Sequence, residues 1–324
     1  MTTIARRAAL GGIAALPLAA PALAQGWPSR PIRIIVPFAA GGTTDLLARA
    51  TADRLTESLG QPVVVENRGG AGGTLAGEAF ARSEPDGHTL LVSTASLVCI
   101  NEHLYSNLSF APATDFEPVA MLAQQPNVLV VNTNALPVRD LPTLVAHIRA
   151  HPGQVSYASA GVGSQLHLTG EMFRAAAGLD MVHVPYRGSG PAQVDVIAGR
   201  VPMMFDGLGT ALPHIRGGRV TCLGVCSAEE NRALPGVPPV ADTVPGVISV
   251  NWTGLFARAG TPREIVQRLD TETRRALQSP AIATLFDDRA FDPLATPRAE
   301  LPAFLASERV RWGEVVRVSG TTIG

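Results

Sequence analysis

Ile32-Arg-Ile-Ile-Val-Pro-Phe-Ala-Ala-Gly-Gly-Thr-Thr-Asp45 changes character half-way along. Ile32 to Phe38 is apolar and β-branched, as a buried strand should be. The glycines that follow break the strand, and Leu46 to Leu59 reads as a helix stopped by Gly60. The same grammar repeats downstream. Pro62 to Glu66 is a strand, Asn67-Arg-Gly-Gly-Ala-Gly-Gly73 a turn, Thr74 to Arg82 a helix, and Thr89 to Ser93 a third strand after the turn Pro85-Asp-Gly87. A βαβαβ run is satisfied by a parallel sheet with helices on its faces, so the fold class is α/β.

Phe116 to Asn134 breaks the alternation. Two apolar stretches, Val119 to Ala123 and Val128 to Val131, are broken by Gln124-Gln-Pro126. A long extended segment here is expected to leave one domain and enter another. The alternation then resumes. Strands are expected at Val155–Ala158, Met181–Val184, Val201–Phe205 and Val220–Val225, with helices at Leu141–Ala150, Leu166–Ala177, Pro191–Ala198 and Ala211–Ile215. A Pro-rich stretch, Leu234 to Pro245, precedes a strand near Val250 to Phe256. Helices at Pro262–Gln278, Pro280–Arg289 and Pro297–Val316 finish the chain. Two doubly wound sheets joined by a connector make a bilobal protein, with a ligand cleft between the lobes.

Composition narrows the chemistry. All 26 basic residues among the 324 are Arg, and no lysine occurs. Schiff-base and PLP enzymes, P-loop NTPases and protein kinases all need a lysine, so each is excluded in its usual form. The net charge is −1, and aromatics make up 5% of the chain. There is neither a basic footprint nor a stacking platform for nucleic acid.

Residues 1–24 read as an export signal. They hold no acid, and they carry Arg6-Arg7, an apolar run from Ala8 to Ala20, and Ala22-Leu23-Ala24 for cleavage. The arginine pair suits twin-Arg export, while Ala8, Ala9 and Leu10 suit the general secretory route equally well. Export makes disulfides possible, but Cys222 and Cys226 lie on one strand at ~13 Å, too far to bridge. All three cysteines read as small buried hydrophobes, with a bridge from Cys99 to one of the others left open.

The Gly-rich turn before Asp45 suits an anion. Glycines let backbone N–H groups approach a ligand, and the helix that follows offers unpaired donors and the positive end of its dipole. Thr43 and Thr44 either donate to a ligand or cap the helix, and Asp45 is a first-turn carboxylate favoured by the dipole. A second turn of this kind is Tyr157-Ala-Ser-Ala-Gly-Val-Gly-Ser-Gln-Leu-His167, where Ser159, Gly161, Gly163 and Ser164 can donate. Two such turns facing one cleft would grip a dicarboxylate at both ends. His167 reads either as a ligand contact or as a structural histidine bonded to backbone. No G-x-S-x-G or H-E-x-x-H occurs, and no G-x-G-x-x-G follows a strand. No metal or cofactor site is expected.

These residues carry a family resemblance. Trp27 to Asp45, Leu59-Gly-Gln-Pro-Val-Val-Val-Glu-Asn-Arg68, Tyr157-Ala-Ser-Ala-Gly161, His167-Leu-Thr-Gly-Glu171, His183-Val-Pro-Tyr-Arg-Gly188, Phe205-Asp206 and Gly260-Thr-Pro262 occur in order along nearly the whole chain. Together they resemble the tripartite tricarboxylate transporter receptors, the Bug-type extracytoplasmic solute-binding proteins. The resemblance implies a type II-like periplasmic-binding-protein fold of two lobes and a hinge, with residues 25–124 in lobe 1, 125–235 in lobe 2, and 236–324 returning to lobe 1. It implies a periplasmic, monomeric, non-catalytic receptor that gives a small carboxylate to membrane subunits. The ligand is a dicarboxylate, aromatic acid or amino acid. Its contacts are carried onto Phe38, Ala39, Gly42, Thr43 and Thr44 in the first lobe. In the second lobe they fall on Ser159, Ala160, Gly161, Gly163, Ser164 and His167. Thr94 and Asp206 are further cleft candidates, Asp206 suiting a ligand amine or hydroxyl, or else capping the helix from Leu208. A two-component sensor needs the same closure, and an exported hydrolase would use Ser164, His167 or Asp206. The Ala111-Pro-Ala-Thr-Asp115 departure from the family pattern is expected in a surface loop.

Overall fold

The computed structural model describes residues 26–321. The export signal therefore lies outside the described residues. Strand β1 (Ile32–Val36) lies between β2 (Val63–Asn67) and β3 (Thr89–Thr94), parallel to both. Its period-2 alternation feeds two cores. Ile32, Ile34 and Val36 face Leu47, Ala48 and Leu55 of the helix Thr43–Leu59, while Ile35 joins Ala76 and Phe80 on the other face. A parallel sheet must be covered on both faces, which is why β1 reads as an almost unbroken apolar run. Gly60, with φ of 71°, ends the first helix in the left-handed conformation expected of a C-terminal glycine.

Strand β4 (Phe116–Val131) is where the halves join. Its first part pairs with β9 (Val250–Arg258), which also pairs with β3. From Asn127 onward it pairs instead with β7 (Met203–Gly207) and β8 (Thr221–Val225). Between these in sequence lie β5 (Ser156–Ser159) and β6 (Val182–Pro185), and β5 is parallel to both β6 and β7. A two-residue strand, β10 (Asp292–Pro293), pairs with β4 at Ala123 and Gln124. The order is β2-β1-β3-β9-β4-β7-β5-β6, two wound sheets sharing β4.

Gln124-Gln-Pro126 does not interrupt that strand, as the sequence had suggested. Pro126 stands where β4 changes partners, opposite Val250 at the start of β9, so its missing N–H costs no interior ladder bond. At the crossing, Asn127 N–H donates to the Ser249 carbonyl (2.9 Å), Ser249 N–H to Cys226 (2.7 Å), and Cys226 N–H to Asn127 (2.7 Å).

The second lobe has its own core on both faces of its sheet. Leu129, Val131, Tyr157 and Phe205 lie on one face, and Val128, Val130, Ala158 and Met204 on the other. Val240, Val244 and Val247 pack in the first of these clusters. The chain thus stays with the second core past residue 235, where the second lobe was expected to end, and crosses back at Ser249 and Val250. The helices Arg263–Leu277 and Pro280–Arg289 then cover the first sheet. The helix Leu301–Ser319 follows a 3-10 turn at Arg298–Glu300 and buries Leu301, Leu305, Trp312 and Val316 in the other first-lobe core. Ala111–Asp115, where the sequence departs from the family pattern, is a largely exposed turn of helix. Cys99, Cys222 and Cys226 are free thiols, with Cys99 and Cys226 buried in the cores of different lobes.

Candidate functional site

Four helices begin at one cleft. From the first lobe comes Thr43–Leu59, preceded by Gly42. From the second come Gln165–Ala177 after Ser164, Ser189–Ile197 after Gly188, and Leu208–Arg216 after Gly207. Gly42, Gly188 and Gly207 supply no capping side chain, so they leave first-turn N–H groups for other acceptors. Each helix start adds about half a positive charge. Between them lies a small cavity, placed where two-lobed α/β proteins take their ligands.

The first turn lines this cavity with Phe38, Gly42, Thr43 and Thr44. It is braced from behind. Asp45 is 3% exposed and accepts from Gly41 N–H (3.0 Å) and Asn67 Nδ2 (2.9 Å), and it pairs with Arg49 (2.9 Å). Burial raises its pKa, but the bonds from Arg49, Gly41 and Asn67 outweigh burial and leave it below the ordinary value. Its charge is thereby turned away from the cleft, as its sequence position suggested. Ala39 does not line the cavity. Its N–H crosses to the second lobe and donates to the Arg187 carbonyl at 2.9 Å.

The second turn divides. Ala160 and Ser164 line the cavity, but Ser159, Gly161, Gly163 and His167 do not. They form the layer behind it. Ser159 Oγ meets His183 Nε2 at 2.6 Å and accepts from Gly161 N–H at 3.1 Å. His167 Nδ1 accepts from Gly163 N–H at 3.3 Å, and its ring stacks on His183 with centroids 4.0 Å apart. Burial holds the pKa of both rings low, that of His183 at about 3 with His167 adding repulsion, so the stack is neutral. Ser164 Oγ caps its own helix by accepting from the backbone N–H of His167 at 3.2 Å. That bond is to backbone and not to the imidazole, which leaves the hydrolase reading without its serine–histidine contact.

Asp206 is the only acid or base in the lining. It is 1% exposed and accepts from Ser189 Oγ, Gln193 Nε2 (2.5 Å), Gly207 N–H (2.9 Å) and Thr210 Oγ1 (3.2 Å). Burial pushes it up to about 6 even so. Its bonds to Gly207 and Thr210 tie it to the helix start at Leu208, as the sequence allowed, and the other two reach the helix Ser189–Ile197. Thr94, at the end of β3, completes the predicted residues found in the lining.

The lobes also touch directly. Gln165 N–H donates to Ser96 Oγ at 2.9 Å, and Gln125 Nε2 at the crossing strand donates to Thr43 Oγ1 at 2.8 Å. A Cβ on Gly190 would stand 2.5 Å from the Ala40 carbonyl oxygen, so only glycine lets the lobes approach this closely there.

A model of the tripartite tricarboxylate transporter family receptors matches residues 47–321. The chain belongs to that family. BugT of Bordetella pertussis is 38% identical over 313 residues, covering 96% of each protein. Among solved structures, R. palustris Rpa4515 with adipate shares 34% identity at a TM-score of 0.87, over 91% of this chain and 98% of that one. MatC of Rhodopseudomonas palustris with bound malate shares 33% at 0.85, over 90% and 100%. The fold is the bilobal one of periplasmic binding proteins.

Six further residues of this receptor line the cleft: Ser96, Gln165, Leu166, Ser189, Gly207 and Asn251. Most stood beside a legible signal. Gly188-Ser189 repeats the glycine strand-to-helix turn, Gln165 and Leu166 follow Ser164, and Gly207 follows Asp206. Asn251 had none. It comes from β9, the strand that returns to the first lobe more than 100 residues after β4 left it.

Proposed function

We propose that this chain is an extracytoplasmic receptor that captures a small carboxylate between its lobes and delivers it to the membrane subunits of a tripartite tricarboxylate transporter. The observation that carries this reading is the convergence of four helix N-termini on a cavity lined by no Arg. An anion there is met by amide donors and by the hydroxyls of Thr43, Thr44, Thr94 and Ser164, with no cation needed. Phe38 and Ala160 cover its apolar parts. Asp206, its lone pairs taken by internal donors, holds two helix starts in place.

Malate-bound MatC and adipate-bound Rpa4515 support a dicarboxylate most directly, with aromatic acids and amino acids as the other classes. The export signal read in residues 1–24 supports capture in the periplasm, and on this reading the mature chain acts as a monomer. Binding and release, without bond-making, is the whole activity on this reading.

A melting-temperature screen of the purified mature chain against malate, adipate and a broad carboxylate panel tests it. A ligand at about 100 times its Kd adds ~2.7 kcal/mol, or roughly 4 °C for a chain of this size. Mass spectrometry of small molecules released on denaturation should identify the same class. Absence of any shift across the panel sinks the proposal.

A further inference from the structure

Two amide oxygens in the cleft wall have no donor. Gln165 Oε1 and Asn251 Oδ1 are buried and unpartnered. Their residues are 1% and 9% exposed, and both line the cavity. The orientation of a side-chain amide is decided by its partners. Gln165 Nε2 donates to the Val250 carbonyl at 2.8 Å, and a carbonyl can only accept. Oε1 is therefore the atom left over. Asn251 follows Val250 directly in β9, so the two amides share one part of the wall.

This part differs from the rest of the cleft. Helix starts and hydroxyls offer donors, whereas Gln165 Oε1 can only accept. A buried acceptor left empty costs ~1–3 kcal/mol, which a donor on the occupant recovers. The wall is also held in position. Gln165 is pinned by its backbone N–H to Ser96 Oγ (2.9 Å) and by Nε2 to Ser249 Oγ (3.3 Å) as well as Val250.

We propose that Gln165 and Asn251 form a subsite that reads a hydroxyl on the ligand, so that the receptor selects hydroxy-carboxylates over the same acids without the hydroxyl. The proposal rests on the cleft being a carboxylate site. A hydroxyl suits it better than an ammonium because both oxygens are neutral. Asp206, the one charged side chain in the lining, already accepts from Ser189, Gln193, Gly207 and Thr210, and a buried cation needs a charged partner. A site built around a hydroxyl rejects the analogue that lacks it, because its own polar atoms are then stranded.

Calorimetric titration of the mature chain with matched pairs tests this: malate against succinate, 2-hydroxyglutarate against glutarate, lactate against propionate. The hydroxy acid should bind about tenfold tighter in at least one pair. Asn251→Ala should erase that preference by weakening the hydroxy acid more than its partner. Gln165→Met should do the same, which covers failure of the first variant to fold. Acids that bind with matched pairs within about threefold overturn the subsite while the receptor reading stands. Aspartate favoured over succinate with malate not favoured also overturns it, since the wall then reads a cation. If no acid binds at all, both readings fall.

Discussion

Asp206 shows how one side chain is set by its surroundings. Four hydrogen bonds favour its charged form, yet burial wins and the carboxyl titrates near 6. The unfolded chain gives up this proton near the ordinary value of 3.8. Between about pH 4 and 6 the folded state therefore keeps a proton that the unfolded state has lost, so this group's contribution to stability falls as pH rises through that window. The full swing is up to ~3 kcal/mol. Asp206→Asn cannot titrate. Urea unfolding of both proteins from pH 4 to 7 should show wild type losing stability relative to the variant by up to that amount, and a flat difference would contradict the assignment. Thr43, Thr44 and Asp206 were visible in the sequence because each sits at a strand end or a helix start that can be read locally. His167 was ambiguous for the opposite reason: whether a ring faces the ligand or the layer behind depends on His183, brought alongside by a neighbouring strand.

Among the elements, the last helix and the returning strand are fastened by one acid. Glu308, 8% exposed, accepts from the indole N–H groups of Trp252 in β9 (2.8 Å) and Trp312 in its own helix (3.1 Å), while Arg311 pairs with it at 3.1 Å. Trp252 is the immediate neighbour of Asn251, so this anchor holds the strand that carries the proposed subsite. Glu308→Ala strands two buried donors. At ~1–3 kcal/mol for each, a loss of roughly 2–6 kcal/mol is expected in denaturant unfolding, and Glu308→Gln, which keeps an acceptor, should lose less. Strands and long helices were legible because burial on both faces and amphipathic spacing leave local patterns. The unbroken course of β4 through Pro126 was not, since a proline ends or spares a strand according to where its partners lie. The π-helical turn Ser96–Ile100 left no pattern either.

Across the whole molecule, the two lobes are joined at the crossing strands and again at the cleft. The helix Gln165–Ala177 belongs to both, since Phe173 packs in the second lobe's core and Leu168 in the first lobe's. The Ser96–Gln165 bond links one lobe to the other at the cleft wall, where both residues line the cavity. Ser96→Ala removes the acceptor. The dissociation constant for a bound carboxylate should rise about 2- to 13-fold, the worth of one net hydrogen bond, while ligand-induced contraction in small-angle scattering persists. An unchanged constant would mean that the bond is no part of the bound form.

The α/β class, the bilobal plan, the family and the first glycine turn all followed from the amino-acid order. Each depends on interactions within a few residues or on motifs that run in sequence. The composition also determined that no lysine meets the ligand. Which residues wall the cleft was settled by tertiary structure. Helix starts from both lobes had to converge before their dipoles could add, Arg had to be left outside, and Asn251 had to be carried back by β9 to stand beside Gln165. Such proximity depends on which strands pair and how closely the lobes approach, and neither leaves a mark in the residues nearby.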